Sequence, residues 1–229
     1  MGSTRLPGKI MLDLAGKPVL MRVIERCFAS VESHIVVVAT STDPLDDAVH
    51  DLCVRQGIEV FRGNLLNVLD RYYHCALRYK LDVIVRVTAD CPFIDPFIID
   101  ESIRLFRLRE VAYVSNCLER NFPRGLDCEV FSFAALKDAY QNAAREEEKE
   151  HVTLYIIKKG KTLVYPTPPA YQGEMHLTLD EQADYDLLKL LYEKFDKREG
   201  LIDVQDVIVY LHKHPELVQI NAGVAQKTT

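Results

Sequence analysis

The sequence predicts an α/β fold in which a mainly parallel β-sheet is covered by helices on both faces. Short runs rich in β-branched residues are typical of buried strands, and the clearest are HIVVVAT at 34–40 and DVIVRVTAD at 82–90. Between such runs lie longer segments whose apolar residues recur at helical spacing. This alternation favours parallel strands joined by crossover helices.

Elements of the first half follow one another in strict alternation. The pairs Asp43-Pro44 and Asp95-Pro96 are typical helix starts, and Gly57 is a typical helix end. The predicted order is a helix at 17–30, a strand at 34–40, a helix at 43–57, a strand at 58–63, a helix at 65–80, a strand at 82–90 and a helix at 95–110.

The order loosens after residue 111. We predict one α/β domain spanning 1–229, with an inserted or appended middle section, because no repeat or low-complexity linker marks a boundary. Strands are predicted at 111–116, 128–133, 161–166 and 176–180, and helices at 132–148, 150–160, 181–195 and 203–217.

The composition argues against several classes of protein. A net charge of −6 argues against a general nucleic-acid binder. No apolar run is long enough to cross a membrane, and the charged opening stretch is unlike a signal peptide. The six cysteines are widely spaced without a C-x-x-C pair, which disfavours zinc and predicts buried free thiols in a reducing cytoplasm.

The opening stretch GSTRLPGK combines glycines with two basic side chains. It is similar to a Walker A loop, although Gly2 and Gly8 enclose five residues rather than four, and Ile10 stands where Ser or Thr would follow the lysine. Glycines let backbone N–H groups approach phosphates, and Arg5 and Lys9 add positive charge. A phosphate clamp and a flexible basic tail are both consistent with this composition.

Two aspartates follow predicted strands, at the sheet edge where parallel sheets bind ligands. Asp90 ends the strand at 82–90, and Asp180 follows the short run HLTL. The two residues predict a Mg²⁺ site with two carboxylates, completed by substrate phosphates. As a helix N-cap Asp180 is explained equally well, whereas Asp95 already caps the helix after Asp90 and leaves Asp90 freer for a ligand.

Further polar side chains have two interpretations each. Asp127 and Glu129 alternate on one face of a predicted strand, where they would bind sugar hydroxyls or a cation, or form a solvated edge. His151 lies among charges at a helix start, where capping or the edge of the core is the simpler interpretation. His212 and His214 are two residues apart on a helix and do not form a metal pair.

The ordered set of motifs resembles the cytidylyltransferases that activate acidic sugars, the CMP-KDO and CMP-neuraminate synthetases. It is more similar still to the spore coat polysaccharide biosynthesis cytidylyltransferase family. The matching stretches, between residues 1 and 195, are GSTRLPGKIMLDLAGKPVL, FRGNLLNVLDRYYHCA, TADCPFIDP, SNCLERNFPRGLDCEVF, EKEHVTLYI and HLTLDEQADYDLL.

The resemblance implies a nucleotide-diphosphosugar-transferase fold, a three-layer α/β/α sandwich with a mostly parallel sheet. It implies transfer of CMP from CTP to an acidic or amino sugar, with release of pyrophosphate, in surface polysaccharide biosynthesis. CTP and the sugar are then the expected partners. A homodimer is common among such relatives, and the section at 116–165 would form its contact.

The resemblance also implies roles for individual residues. Arg5 and Lys9 would hold the triphosphate and act in catalysis with Asp90. Asp90 and Asp180 would hold Mg²⁺. The nucleotide would be bound by Gly2, Ser3, Arg5, Gly8, Lys9 and Asp90, and the sugar by Arg71, Asn116, Asp127, Glu129 and His151.

The chain departs from that family pattern at its start and at single positions. Family members begin with a strand carrying Gln-Ala-Arg ahead of MGSTRLPGK, whereas this sequence starts at Met1. Without such a central strand, we expect neighbouring strands to have unpaired N–H and C=O groups. Ala89, Arg124 and Lys149 replace a glycine, an acidic residue and an arginine, and Arg124 would alter sugar preference.

Two alternative functions stay open at this point. A glycosyltransferase of related fold would use a nucleotide sugar and hold its metal through a D-x-D motif. The D-x-D motif of this sequence, Asp184-Tyr185-Asp186, lies inside a predicted helix, which weighs against that function. An inactive remnant would follow from loss of the first strand and would bind nucleotide weakly or not at all.

Overall fold

The computed structural model describes residues 1–196 and 200–225. Polar side chains cap several helices: Asp95 accepts from the Phe97 N–H, and Ser132 accepts from the Ala135 N–H. The helices are α1 (Val19–Phe28), α2 (Asp47–Arg55), α3 (Val68–Tyr79), α4 (Pro96–Leu108), α5 (Phe133–Asn142), α6 (Glu146–Glu150), α7 (Leu154–Lys159), α8 (Gln182–Phe195), α9 (Val204–Lys213) and α10 (Pro215–Val218), with short 3-10 turns at Lys9–Met11, Pro44–Asp46 and Pro169–Tyr171.

Six strands of the described residues form two sheets. The strands are β1 (Val37–Ser41), β2 (Glu59–Gly63), β3 (Val83–Arg86), β4 (Tyr113–Ser115), β5 (Glu129–Ser132) and β6 (Thr162–Val164). One sheet has the order β1-β2, with parallel pairing, and the other has the order β3-β5-β4-β6. β4 is parallel to β6, while β5 is antiparallel to β3 and β4. β3, β4 and β6 therefore share one direction, and β5 runs against them.

Alternate side chains of the larger sheet pack against two different helix layers. Tyr113 and Phe131 lie in one apolar cluster with residues of α3, α5 and α7. Val114 and Val130 lie in the other, with residues of α1, α4, α8 and α9. A third cluster joins α1 to α2. The predicted three-layer α/β/α sandwich of mostly parallel strands is confirmed.

Several predicted elements were wrong in extent. The helix predicted at 203–217 is two helices, because Pro215 has no N–H and the preceding residue, His214, leaves the helical region with a φ of −130° and a ψ of 64°. The helix predicted at 150–160 begins only at Leu154, because Val152 has a φ of 60°, outside the right-handed helical region. The helix predicted at 132–148 is divided at Ala143, which is extended.

The strand predicted at 176–180 is absent from the described sheets. This segment instead makes two separate backbone hydrogen bonds to distant residues. The Leu177 N–H donates to the Arg124 carbonyl oxygen (2.7 Å), and the Leu179 N–H donates to the Asp90 carbonyl oxygen (2.8 Å). One isolated parallel bridge joins Arg124 to His176. The segment therefore lies beside the chain that follows β3, although it forms no regular ladder.

All six cysteines are free thiols, as predicted, and four of them are buried. Burial raises the pKa of Cys75 to about 11 and that of Cys27 to about 12, so these thiols are protonated and inert near neutral pH. Within the described ranges, no helix has the length and apolar character needed to cross a membrane.

Candidate active site

The opening loop folds back onto the carboxyl edge of the parallel strands. Gly8 has a φ of 70°, a left-handed conformation that glycine adopts without strain. It leads into the turn Lys9–Met11, where the Met11 N–H donates to the Gly8 carbonyl oxygen (2.8 Å). Ser3 accepts from the Leu6 N–H (3.3 Å) within the loop. Of the two interpretations of this stretch, the structure has a folded loop rather than a flexible tail, and the loop directs Lys9 toward the chain that follows β3.

The Lys9 ammonium is the centre of the site. Its Nζ donates to Asp90 Oδ2 (2.7 Å), to Asp180 Oδ1 (2.9 Å) and to the Leu179 carbonyl oxygen (2.5 Å). Burial acts to lower the pKa of Lys9, but the two carboxylates outweigh burial and raise that pKa above its usual value. Burial acts to raise the pKa of Asp90, and the Lys9 charge outweighs it and lowers that pKa. Both groups are therefore charged near neutral pH.

Arg5 joins the same cluster from the other side of Asp180. One guanidinium nitrogen lies 2.9 Å from Asp180 Oδ1. Another donates to Glu181 Oε1 (3.2 Å) and to the Ala225 carbonyl oxygen (2.6 Å). Two cations and three carboxylates thus meet at one edge of the sheet. Gly2 lies exposed, with no atom near its position for a side chain.

Rigid backbone contacts hold the two aspartates in place. The Leu179 N–H bond to the Asp90 carbonyl oxygen fixes the spacing between the two chain segments. The buried Asp184 carboxylate accepts the N–H groups of Asp180 and Glu181, each at 2.9 Å, and the side-chain amide of Asn221 (2.8 Å). Asp180 therefore precedes a helix start that Asp184 caps, and its own carboxylate is left to face Lys9.

The donor set of this cluster fits a magnesium ion. Asp90 and Asp180 converge on one cation, and Mg²⁺ takes one or two carboxylates and completes its shell with phosphates and water. Across residues 1–196 and 200–225, no group of three or more His, Cys, Asp or Glu side chains is placed to hold a metal by itself. The residues present would thus hold Mg²⁺ only with ligands contributed by a substrate.

A cleft of about 1030 Å³ lies along the segment that leads to Asp180. Its ionisable lining consists of three arginines, two glutamates and a histidine: Arg109, Arg120, Arg124, Glu119, Glu174 and His176. Burial and the nearby Arg124 lower the pKa of His176, which leaves it neutral near pH 7. The guanidinium groups of this lining are of the kind that binds anionic or hydroxyl-rich ligands.

Only some of the predicted sugar ligands lie near that cleft. Asp127 is half-buried and accepts from Arg120 Nη1 (2.5 Å), so it touches the cleft lining. Asn116 is fully buried, donates to the Leu126 carbonyl oxygen (2.8 Å) and accepts from the Cys128 N–H (2.8 Å). Its side chain is thus satisfied by backbone and fixes the turn before β5.

Glu129, Arg71 and His151 lie elsewhere. Glu129 is buried among Arg86, Tyr113 and Thr153, all of which donate to its carboxylate. Arg71 lies on α3, where its Nη1 donates to the Asn64 carbonyl oxygen (2.5 Å). His151 follows α6 and its carbonyl oxygen accepts from the Thr153 N–H (2.5 Å). Their proposed contact with a sugar stays a prediction.

Residues that sequence reasoning missed act mainly by positioning. Glu181 pairs with Arg5, and the Asp184 carboxylate accepts from the Asp180 N–H. In the sequence alone, both residues have only the pattern of acidic side chains in the first turn of a helix. Arg120 and His176 line the cleft, and they lie inside two of the stretches that carry the family resemblance, SNCLERNFPRGLDCEVF and HLTLDEQADYDLL. That position, and for Glu181 its place directly after Asp180, was the signal that could have found them.

Gly125 is the glycine on which this arrangement depends most. It has a φ of 93°, and a Cβ there would lie 2.4 Å from the Leu177 carbonyl carbon, which is rigid backbone. We expect Gly125→Ala to lower the free energy of unfolding by about 2–3 kcal/mol through backbone strain. Urea unfolding of both proteins measures this, and Gly200→Ala, at a φ of 83° but in open space, is the control for φ alone. Equal losses in both variants would contradict the role of the Leu177 contact.

An α/β sandwich with a basic loop and paired carboxylates at the carboxyl edge of its parallel strands is the arrangement of an enzyme that acts on nucleotide phosphates. Residues 1–225 match the family model described as cytidylyltransferase. The chain belongs to the cytidylyltransferase family.

Two of the similar proteins cover nearly the whole chain, and a third covers less than half of it. The spore coat polysaccharide biosynthesis protein SpsF of Bacillus subtilis (strain 168) is 33% identical over 227 residues, which cover 94% of this chain and 92% of that protein. A 3-deoxy-manno-octulosonate cytidylyltransferase of Geobacter sulfurreducens is 39% identical over 101 residues, 44% of this chain and 40% of its own. The structure of a cytidylyltransferase from Leptospira borgpetersenii superposes with a TM-score of 0.88 at 33% identity, over 100% of this chain and 95% of that one. The predicted family resemblance is confirmed.

Proposed function

We propose that this protein transfers a cytidylyl group from CTP to an acidic or amino sugar and releases pyrophosphate. The observation that carries the proposal is the convergence of Lys9 and Arg5 on Asp90 and Asp180 at the carboxyl edge of the sheet. The relative named for spore coat polysaccharide biosynthesis supports a place in surface polysaccharide synthesis. A homodimer through 116–165 and a cytoplasmic location stay predictions.

The reaction requires charge stabilisation more than covalent chemistry. A sugar oxygen attacks the α-phosphorus of CTP, a new P–O bond forms, and the bond to the pyrophosphate oxygen breaks. Negative charge builds on the non-bridging and leaving oxygens. Lys9 and Arg5 would turn from carboxylates to these oxygens and stabilise the transition state. The neighbouring Asp90 and Asp180 fix the direction from which both cations reach the phosphates.

Asp90 and Asp180 would hold Mg²⁺, which when bound supplies positive charge to phosphate oxygens. In the structure the same two carboxylates hold Lys9 at the carboxyl edge of the sheet, where its ammonium would reach the phosphates of CTP.

The cleft beside Arg124 would take the sugar. Arg109 and Arg124 line it together with Arg120, whose charge is paired with Asp127. Guanidinium groups bind carboxylates in bidentate fashion, so this lining favours an acidic sugar over an amino sugar. Asp127, bonded to Arg120, would orient that guanidinium.

The two alternatives are less well supported. The D-x-D motif lies in α8, and its buried Asp184 already accepts three hydrogen bonds, which argues against a metal-binding role in a glycosyltransferase. The ordered contacts of Lys9 argue against an inactive remnant. Release of pyrophosphate rather than a nucleoside diphosphate would distinguish the first alternative, and the absence of any nucleotide binding would support the second.

A thermal-shift titration with CTP, UTP, GTP and ATP, with and without Mg²⁺, tests the proposal. At a hundredfold excess over Kd, CTP with Mg²⁺ should add about 2.7 kcal/mol to the free energy of unfolding and raise Tm by about 5–10 °C. The other nucleotides should shift Tm less. No shift with any nucleotide would overturn the proposal.

Asp90→Asn tests the metal-binding role in the same assay. The variant should fold, lose the Mg²⁺-dependent part of the CTP shift, and release no pyrophosphate when sugars are supplied. The matched control is Asp186→Asn, since Asp186 is exposed on α8 and bonds only to Gln182 among the contacts described. Full activity of the Asp90 variant would refute the assignment.

A further inference from the structure

The segment 221–225 contacts both the start of α8 and the opening loop, and we name it the clasp. Within it, Asn221 is 2% exposed and Val224 is 7% exposed, and the Val224 N–H donates to the Asn221 carbonyl oxygen (3.1 Å). A tight turn therefore holds these two buried side chains together. At the other end of the clasp, the Ala225 carbonyl oxygen accepts from Arg5 Nη1 (2.6 Å).

The Asn221 side chain joins two distant parts of the chain. Its Nδ2 donates to Asp184 Oδ1 (2.8 Å), 37 residues away, and to the His176 carbonyl oxygen (2.9 Å), 45 residues away. A side-chain amide has two N–H donors, so both are used. Asp184 lies in the first turn of α8, and His176 lines the cleft of about 1030 Å³. One buried amide thus connects the wall of the cleft to the helix that follows Asp180.

Asp184 passes this connection on to the phosphate site. Its fully buried carboxylate accepts from Asn221 through Oδ1, and from the N–H groups of Asp180 and Glu181 through Oδ2, each at 2.9 Å. Asn221 therefore fixes the rotation of the carboxylate, and the carboxylate fixes the backbone before α8. Because the Asp180 side chain extends from that backbone to Lys9 Nζ (2.9 Å), a rotation of Asp184 would displace it.

The other end of the clasp acts on the same carboxylate. The Arg5 guanidinium lies 2.9 Å from Asp180 Oδ1, and it also bonds to Glu181 and to the Ala225 carbonyl oxygen. The clasp thus reaches Asp180 by two routes, through its backbone from Asn221 and through its cation from Ala225.

We propose that Asn221 is a positioning residue of the candidate active site, which directs the Asp180 carboxylate through Asp184. The inference rests on the proposed cytidylyl transfer, in which Asp180 would hold Mg²⁺. Removing a partner that orients a metal-binding carboxylate typically lowers activity or metal affinity by about 10–100-fold. The simpler role for Asn221 is to anchor the clasp to the rest of the molecule, and the two roles predict different measurements.

Amide hydrogen exchange without nucleotide, followed by NMR, tests the positioning step by itself. In Asn221→Ala, the amides of Asp180 and Glu181 should exchange about tenfold faster, because their shared acceptor Asp184 loses the donor that fixes it. The amides of β4 and β5 should be unchanged.

Ile156→Val is the matched control for a general loss of stability. Ile156 is 3% exposed and lies in the apolar cluster with Tyr113 and Phe131, on the opposite face of the larger sheet from α8. Removal of one buried methyl group there should lower Tm by a few degrees. It should leave the exchange of the Asp180 and Glu181 amides as it is in the unmodified protein.

An exchange of side chains between the two partners tests the effect on the reaction. Asn221→Asp places two carboxylates together, and Asp184→Asn places two amides together. Each should lower kcat for pyrophosphate release about 10–100-fold and raise the Mg²⁺ concentration for half-maximal rate about tenfold. The double variant again sets one donor against one acceptor with a single buried carboxylate, so it should be about tenfold faster than either single variant.

An anchoring role alone would lower the Tm of Asn221→Ala and leave both amide exchange and kcat unchanged, and that result would overturn the proposal. A double variant no faster than the single variants would overturn it as well. Failure of the unmodified protein to release pyrophosphate from CTP with any sugar would refute the proposed function instead, and the exchange of the two amides would still test the positioning role of Asn221.

Discussion

Replacing Lys9 with methionine should lower the rate of pyrophosphate release by about 10²–10³-fold, the usual cost of removing one donor that stabilises transition-state charge. Asp90 and Asp180 both accept hydrogen bonds from the Lys9 ammonium and so fix its position. The three acceptors of Lys9 Nζ lie 2.5–2.9 Å away. Methionine keeps an unbranched apolar side chain that is one atom shorter, and it removes the charge together with the N–H donors of Lys9. The measurement is initial rate with CTP, Mg²⁺ and an acidic sugar substrate.

Lys17→Met is the matched control. Lys17 is about half exposed and pairs with Glu25 on the surface, so its removal should leave the rate within a factor of two and cost about 0–1 kcal/mol of stability. An equal fall in both variants would mean that the loss reflects general charge rather than the position of Lys9. An unchanged rate in the Lys9 variant would exclude Lys9 from the chemistry.

The methionine variant also separates binding from catalysis. If Lys9 acts mainly in the transition state, kcat should fall with little change in the KM for CTP. If Lys9 binds the triphosphate as strongly in the ground state as in the transition state, the KM for CTP should rise instead. Its removal leaves Asp90 and Asp180 facing one another without their shared cation, so the variant should also respond more steeply to added Mg²⁺.

Periodicity predicted the layers of the fold because the signals for them are local. Apolar spacing and β-branched runs located most of the strands and helices within a few residues. The errors fell where local conformation overrides periodicity, as at Pro215 and Val152. The segment at 176–180 has the alternation of a strand but gains only two backbone bonds to distant residues, which no local pattern encodes.

The site was predictable to the extent that topology fixes it. Asp90 and Asp180 were found because both follow extended runs that end at the same edge, and the structure places both on Lys9. Sequence could not show that the Asn116 side chain bonds to the backbone groups of Leu126 and Cys128, ten and twelve residues further on, so its sugar contact stays a prediction. A sequence shows which side chains could bind a ligand but not which of them the fold already satisfies.

Glu129 is a side chain that could bind a ligand but whose hydrogen bonds the fold already satisfies. Glu129→Gln should lower the free energy of unfolding by about 3 kcal/mol and Tm by about 6–12 °C. The resemblance to sugar-activating enzymes implies that it binds sugar. In the structure it is 8% exposed, and its oxygens accept from Tyr113 Oη (2.7 Å), Thr153 Oγ1 (2.7 Å) and the Arg86 guanidinium. Glutamine would replace one of these acceptors with a donor and leave Arg86 buried without its counter-charge.

Asp127→Asn, two residues earlier, is the control that tells the two roles apart. Asp127 pairs with Arg120 at the cleft, and both side chains are about one-third exposed, so its loss should cost less than about 1 kcal/mol of stability. Because it orients Arg120, the same variant should raise the KM for the sugar. If Glu129 stabilises the fold and Asp127 serves the cleft, the Glu129 variant should have the lower Tm and the Asp127 variant should have the higher KM for the sugar. A Glu129 variant with an unchanged Tm and a raised KM for the sugar would contradict the structural role and indicate that Glu129 binds the sugar.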